Sequence, residues 1–166
     1  MGEEIAADIQ RALGSDADDS NQVVIVPVMT GAMVFTADLV RQMPIKLSFG
    51  LVAVSSYPGK SLTSKGAIIR SELPTNLAGK HVIIVDDILD SGQTLALVKR
   101  LIEEQSPASV KVCAFLWKRI EGYEPPLRAD YVGFEIPDEF VVGYGLDYDG
   151  YYRNHPEIVT LKGEAL

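Results

Sequence analysis

His81-Val82-Ile83-Ile84-Val85-Asp86-Asp87-Ile88-Leu89-Asp90-Ser91-Gly92-Gln93-Thr94 is the stretch on which the fold turns. A run that is apolar at every position through Val85 reads as a strand buried on both faces, which favours a parallel sheet. After it, residues 93–105 set Leu97, Val98, Leu101 and Ile102 against Lys99, Arg100, Glu103 and Glu104, the pattern of an amphipathic helix. A helix that opens at Ser91-Gly92-Gln93-Thr94 turns its free N–H groups and positive dipole end outward, and Gly92 lets a ligand approach closely. This is a phosphate cradle without a lysine, since neither G-x-x-x-x-G-K-[ST] nor G-x-G-x-x-G occurs. Asp86 and Asp87, at the strand end, offer oxygen to Mg²⁺ or to sugar hydroxyls. An Asp or Ser before a helix is also a common N-cap and an Asp pair a common turn. The whole string, rather than one residue, therefore carries the reading.

The same alternation extends to either side. Ile5, Ile9 and Leu13 share one face of a helix over 5–13, and residues 14–21 read as an acidic surface loop. Val23–Val28 is a β-branched buried strand, 30–43 is helical in spacing, and Pro44 stops it. Leu47–Val54 reads as a second strand, and 55–66 as a Ser/Gly/Lys-rich lid or hairpin excursion with little to bury. Ala67–Arg70 is a short strand, Leu73–Gly79 a turn region, and Val110–Trp117 a further buried strand. The expected fold class is α/β: a doubly wound, mainly parallel sheet with flanking helices, in a single domain spanning 1–166. Its core covers about 1–119. From about 120 to 166, Pro125-Pro126, Pro137 and short strand pieces at 131–134 and 140–142 suggest a small C-terminal hood.

Composition narrows the function. The 166 residues carry 15 Lys and Arg against 23 Asp and Glu, a net charge of −8. Such a surface repels phosphate backbones and anionic lipid, so neither nucleic acid nor membrane is an expected partner. One cysteine, Cys113, excludes an internal disulfide and suits a reducing, cytoplasmic setting. The start lacks a signal-peptide pattern, and no 18-residue apolar run is present. His81 and His155 read as surface residues, and a single Cys leaves no zinc constellation.

In open parallel sheets ligands bind beyond the carboxyl ends of the strands. Those ends run into Met29-Thr30-Gly31, the Ser/Lys/Gly loop, Asp86–Thr94 and Lys118-Arg119. At this point the chain resembles a known family. Val82–Thr94 looks like the signature of type I phosphoribosyltransferases, which bind phosphoribosyl pyrophosphate. Phe115–Arg119, Asp130–Asp138 and Phe140–Tyr148 are similar to the hypoxanthine/guanine phosphoribosyltransferases, in order, from about residue 23 to about 160.

The resemblance implies the type I phosphoribosyltransferase fold and a reaction that joins a 6-oxopurine to ribose C1′ and expels pyrophosphate. Asp90, Ser91, Gly92, Gln93 and Thr94 would hold the 5′-phosphate, and Asp86 and Asp87 the ribose hydroxyls and a Mg²⁺ shell. Asp90 would be the general base near purine N7. Lys118, having only donors, would bind O6 and disfavour adenine. Phe140 would stack on the base and the Val141 backbone read its edge. Asp147, beside the purine, would take a second Mg²⁺, with Thr30, Gly31 and Arg153 on pyrophosphate. Ser56 and Tyr57 would be a lid that excludes water. Relatives of this kind are homodimers or homotetramers.

The chain departs from the family where Asp86 stands for a frequent Glu, Thr30 for a frequent Lys or Arg, and Gln93 for a frequent Lys. Three alternatives stay open: a non-catalytic nucleotide-sensing or RNA-binding regulator on the same fold, a transferase preferring xanthine or uracil, and a phosphoryl-accepting receiver. The charge disfavours RNA. Receivers carry their acidic pair near the first strand.

Overall fold

The computed structural model describes residues 1–13, 22–55, 68–69 and 71–161. The expected loop at 14–21 and the lid residues Ser56 and Tyr57 lie outside them. The elements are α1 (Gly2–Leu13), β1 (Val23–Met29), α2 (Met33–Val40), β2 (Ser48–Phe49), β3 (Val52–Ser55), β4 (Ile68–Ile69), β5 (His81–Leu89), α3 (Gln93–Glu103), β6 (Ser109–Arg119), β7 (Tyr131–Pro137), β8 (Val141–Val142) and β9 (Val159–Thr160).

The main sheet runs β4-β3-β1-β5-β6-β7, with β2 also on β1. Its pairings are parallel except β3 with β4. Strand periodicity assigns the core. Val24, Val26, Val28, Val82 and Ile84 pack with Leu95, Val98 and Ile102 of α3. Val23, Ile25, Ile83 and Val85 face Ile5, Ala6 and Ile9 of α1 and Phe35 and Leu39 of α2. Because successive side chains point to opposite faces, an all-apolar strand feeds both layers, and the doubly wound architecture follows.

Several boundaries move, each for a local reason. The strand expected over 47–54 is interrupted at Gly50-Leu51. The Gly50 N–H reaches Ile25 O at 2.9 Å, so the next backbone group facing that side belongs to Pro27, which has no N–H to give. Helix α2 begins at Met33 rather than Thr30, because 29–32 form a turn closed by Ala32 N–H to Val28 O and Met33 N–H to Thr30 O. It ends at Val40, where tight bonds from Gln42 and Met43 back to Leu39 and Val40 precede Pro44.

The largest correction concerns the region assigned to the hood. Residues 131–137 form β7, which pairs in parallel with β6 from Cys113↔Tyr131 to Arg119↔Pro137 and so belongs to the main sheet. Its exposed Phe134 and Glu135, adjacent and therefore on opposite faces, hid this from the apolar-run criterion, as an edge strand open to solvent would. The separate piece is the antiparallel β8–β9 pair with the turns between them. Tyr144 ties this piece down: its ring lies 5.1 Å from that of Phe115, and its hydroxyl donates to Asp38 Oδ2 of α2 at 2.6 Å. No helix among the described residues is long and apolar enough to cross a membrane.

Candidate active site

The connection after β1 leads to α2 on one face, and that after β5 leads to α3 on the other. The chain order reverses between these neighbouring strands, which makes β1/β5 the topological switch point where open α/β sheets bind ligands. Pairing of β1 with β5 stops at Pro27↔Val85, while β5 stays bonded to β6 as far as Leu89↔Trp117. Residues 86–89 are thus held from one side and open toward the end of β1.

Asp86 and Asp87 consequently lie inside β5, not at its end as the sequence suggested, and four residues of strand remain from Asp86 to Leu89. The two N–H groups that follow them serve their side chains: Asp87 N–H donates to Asp86 Oδ1 at 3.1 Å, and Ile88 N–H to Asp87 Oδ1 at 2.9 Å. Asp86 is 7% exposed. Burial, reinforced by the charge of Asp87, pushes its carboxyl well above the usual carboxylate range. Burial also raises Asp87, against the opposing pull of Asp86, of the backbone N–H bonds and of the Arg153 charge. Two desolvated acids side by side favour sharing a proton over carrying two charges.

The turn after β1 abuts this pair. A Cβ built on Gly31 would fall 1.9 Å from Asp87 Oδ2, so a side chain at 31 would displace the carboxylate. The hood packs on the other side of the same turn, since a Cβ on Gly145 would meet Gly31 O at 2.2 Å. Thr30 is exposed at the rim, after a cis Met29–Thr30 peptide. Arg153 donates to Gly145 O at 2.7 Å and pairs with Asp147 Oδ1 at 2.7 Å, while Asp147 Oδ2 accepts the Gly150 N–H. Arg153, expected on pyrophosphate, is thus engaged inside the hood. A guanidinium has five N–H donors, and these contacts do not exhaust it.

Helix α3 starts at Gln93 with Gly92 as N-cap, at φ 71° and with no side-chain cap bond. That left-handed conformation suits glycine, and a Cβ there would lie 3.0 Å from Pro125 Cβ. The N–H groups of the first helical turn have no partner within the helix, so this end is suited to an anion. Tyr123 adds a strut, its hydroxyl donating to Ser91 O at 2.9 Å. Tyr123 and Pro125 also border a 290 Å³ cleft with Trp117, Lys118 and Arg119.

Successive ends of β5, β6 and β7 bring Asp90, Lys118 and Asp138 together. Lys118 is 10% exposed, with Nζ 3.5 Å from Asp90 Oδ2 and 3.7 Å from Asp138 Oδ1. The adjacent Arg119 has a different fate: it pairs with Glu135 at 2.6 Å and stacks 3.4 Å over the Trp117 ring. Phe140 is half-buried, edge-on to Tyr148 at 5.7 Å, and Val141 opens β8, paired with Thr160. Cys113 is fully buried, its thiol raised to about 12 chiefly by desolvation, and fits the inert core role its strand context suggests. Sequence reasoning passed over Asp138, Tyr123 and Gly145. Had β7 been read as a sheet strand, the strand-end rule would have pointed to Asp138.

Comparison with known proteins matches residues 2–149 to the phosphoribosyl transferase domain. The hypoxanthine-guanine phosphoribosyltransferase of Mycobacterium tuberculosis is 38% identical over 162 residues, covering 97% of this chain and 78% of that protein. The protein of the same name from Streptococcus pneumoniae is 40% identical over 142 residues, covering 86% of this chain and 78% of its own length. Among solved structures, the Trypanosoma cruzi hypoxanthine phosphoribosyltransferase in complex with the product IMP superposes with a TM-score of 0.83 at 36% identity, covering 99% of this chain and 89% of that one.

Proposed function

The chain belongs to the phosphoribosyl transferase family, and on that premise we propose how its own residues divide the work. The reaction is purine salvage: the 5-phosphoribosyl group of phosphoribosyl pyrophosphate passes to hypoxanthine or guanine, giving IMP or GMP and pyrophosphate. The observation that carries the site assignment is the pairing, at one mouth, of a donor-only ammonium with a carboxylate 3.5 Å away, beside an uncapped helix N-terminus.

The 5′-phosphate sits on Asp90–Thr94, bonded by first-turn amides and the Ser91 and Thr94 hydroxyls. Gln93 adds an uncharged donor, so the backbone supplies most of the attraction. Asp86 and Asp87 face the ribose hydroxyls. Lys118 donates to O6, where the amino group of adenine would meet only donors. Phe140 stacks on the purine and the Val141 backbone reads its edge. Asp90, half exposed, takes the proton at N7 as the bond to C1′ forms. Thr30, Gly31 and Arg153 line the pyrophosphate side, and Ser56 and Tyr57 close as a lid.

The donor set fits Mg²⁺. Asp86, Asp87 and Asp147 are hard oxygen ligands, and no cluster of three or more His, Cys, Asp or Glu able to hold a metal occurs among the described residues. Mg²⁺ is commonly held by one or two carboxylates, with substrate phosphates and water completing the shell. Asp86 and Asp87 would hold it on the ribose side and Asp147 on the pyrophosphate side. Bound there, the ion would offset charge on the departing pyrophosphate. A homodimer or homotetramer in the cytoplasm completes the proposal, with exposed Met33, Phe49 and Leu51 as apolar surface for a second copy to cover.

The test is direct. Purified protein is mixed with phosphoribosyl pyrophosphate, Mg²⁺ and each base in turn, and nucleotide is followed by absorbance. Hypoxanthine and guanine should react and adenine should not. No product with any purine or pyrimidine would leave the regulator reading.

A further inference from the structure

The assignment of Lys118 to O6, on which the following rests, raises a physical difficulty. An ammonium only 10% exposed needs a counter-charge, and its neighbour Asp90 must take up a proton during the same reaction. Once Asp90 is protonated it no longer balances Lys118. The contact with Asp90 at 3.5 Å and that with Asp138 at 3.7 Å are both longer than the 2.7–2.9 Å of a charge-assisted hydrogen bond. The ammonium is shared between two strand ends and clamped by neither.

We propose that Asp138 is a positioning residue for base recognition: from the end of β7 it holds the Lys118 ammonium toward O6 while Asp90 accepts the proton. Asp138 follows β7 directly, and β7 is registered on β6 through Lys118↔Ile136 and Arg119↔Pro137, so sheet pairing fixes its place beside Lys118. Four charged neighbours have partners of their own: Glu124, which lines the same cleft, pairs with Arg128 at 3.2 Å. Arg119 and Glu135 pair with each other, and Glu139 accepts a bond from Thr160 Oγ1 at 3.0 Å. With Asp138 neutral, Lys118 keeps Asp90 as its one counter-ion among the described residues, and the donor and the base then occupy each other. Asp138 touches no reacting atom on this account; it acts through Lys118.

The experiment is a cycle of Asp138→Asn and Lys118→Gln, with steady-state constants for hypoxanthine and for phosphoribosyl pyrophosphate measured separately. At 59% exposure Asp138 is replaceable without loss of the fold, which thermal melting verifies. Asp138→Asn should raise KM for hypoxanthine about 1.5- to fivefold, the range of a half-exposed ion pair, and leave KM for phosphoribosyl pyrophosphate unchanged. Asp138→Glu should restore most of the loss, and Asp138→Asn should add nothing in the Lys118→Gln background. An unchanged KM for hypoxanthine in Asp138→Asn overturns the proposal, and so does a loss of equal size in the Lys118→Gln background. Lys118→Gln with normal affinity for hypoxanthine would instead overturn the assignment of Lys118 itself.

Discussion

Replacing Gly31 by alanine tests the central contact of the site. The added Cβ would lie 1.9 Å from Asp87 Oδ2 and 2.6 Å from its Cγ, against 3.4–4 Å for ordinary contact. The backbone of Gly31 is not among those with positive φ, so the cost is steric and comes from Asp87. Relief requires Asp87 to turn away from the Ile88 N–H it accepts at 2.9 Å, or the β1 turn to move off β5. Overpacking of this kind costs about 1–3 kcal/mol. For a chain of this length that lowers Tm by roughly 2–4 °C for each kcal/mol. KM for phosphoribosyl pyrophosphate should rise as well, because the displaced carboxylate is the one assigned to the ribose. The assay is thermal melting of Gly31→Ala in the wild-type and Asp87→Ala backgrounds. Removing the carboxylate removes the collision, so the two substitutions should couple by at least about 1 kcal/mol. Gly145→Ala is the control: its collision is with the Gly31 carbonyl at 2.2 Å, and Asp87→Ala should not rescue it. Equal destabilisation by Gly31→Ala in both backgrounds would refute the packing argument.

Asp90→Asn should lower kcat by about 10²–10⁴, as loss of a general base does, while KM for phosphoribosyl pyrophosphate stays within about twofold. Equal loss in both would make Asp90 a binding residue. Tyr123→Phe deletes the bond to Ser91 O at 2.9 Å, and should raise KM for phosphoribosyl pyrophosphate about two- to tenfold at constant kcat. The Asp86–Asp87 pair gives a pH signature. Its raised carboxyls hold protons more tightly folded than unfolded, so their contribution to stability is complete below the usual 3.8 and is lost as pH rises through the folded values. Asp86→Asn should therefore raise Tm relative to wild type at pH 8 and much less at pH 4, as calorimetry in both buffers would measure; a gain that is the same at both pH values would contradict it.

Legibility in the sequence followed burial. Where a strand is covered on both faces, as Val23–Val28 and Val82–Val85 are, every position is apolar and the pattern is unambiguous. At the edge of the sheet that signal fades: Tyr131 is buried while Phe134 and Glu135 are exposed, and β7 reads as irregular. The interruption of the strand over 47–54 was likewise hidden, because its cause is a proline in a different strand.

The sequence by itself determined the α/β layering, the helix start just after Ser91-Gly92, and the presence of Asp90 and Lys118 near strand ends. Each depends on neighbours a few residues away, through side-chain period or a missing backbone donor. Tertiary structure decided which of these groups meet. Asp138 reaches Lys118 because β7 pairs with β6, and Gly31 reaches Asp87 because β1 and β5 part after Pro27. Arg153 turns to Asp147 because the hood folds on itself. These are contacts between segments far apart in the chain, set by strand order and register, and local periodicity carries no record of either.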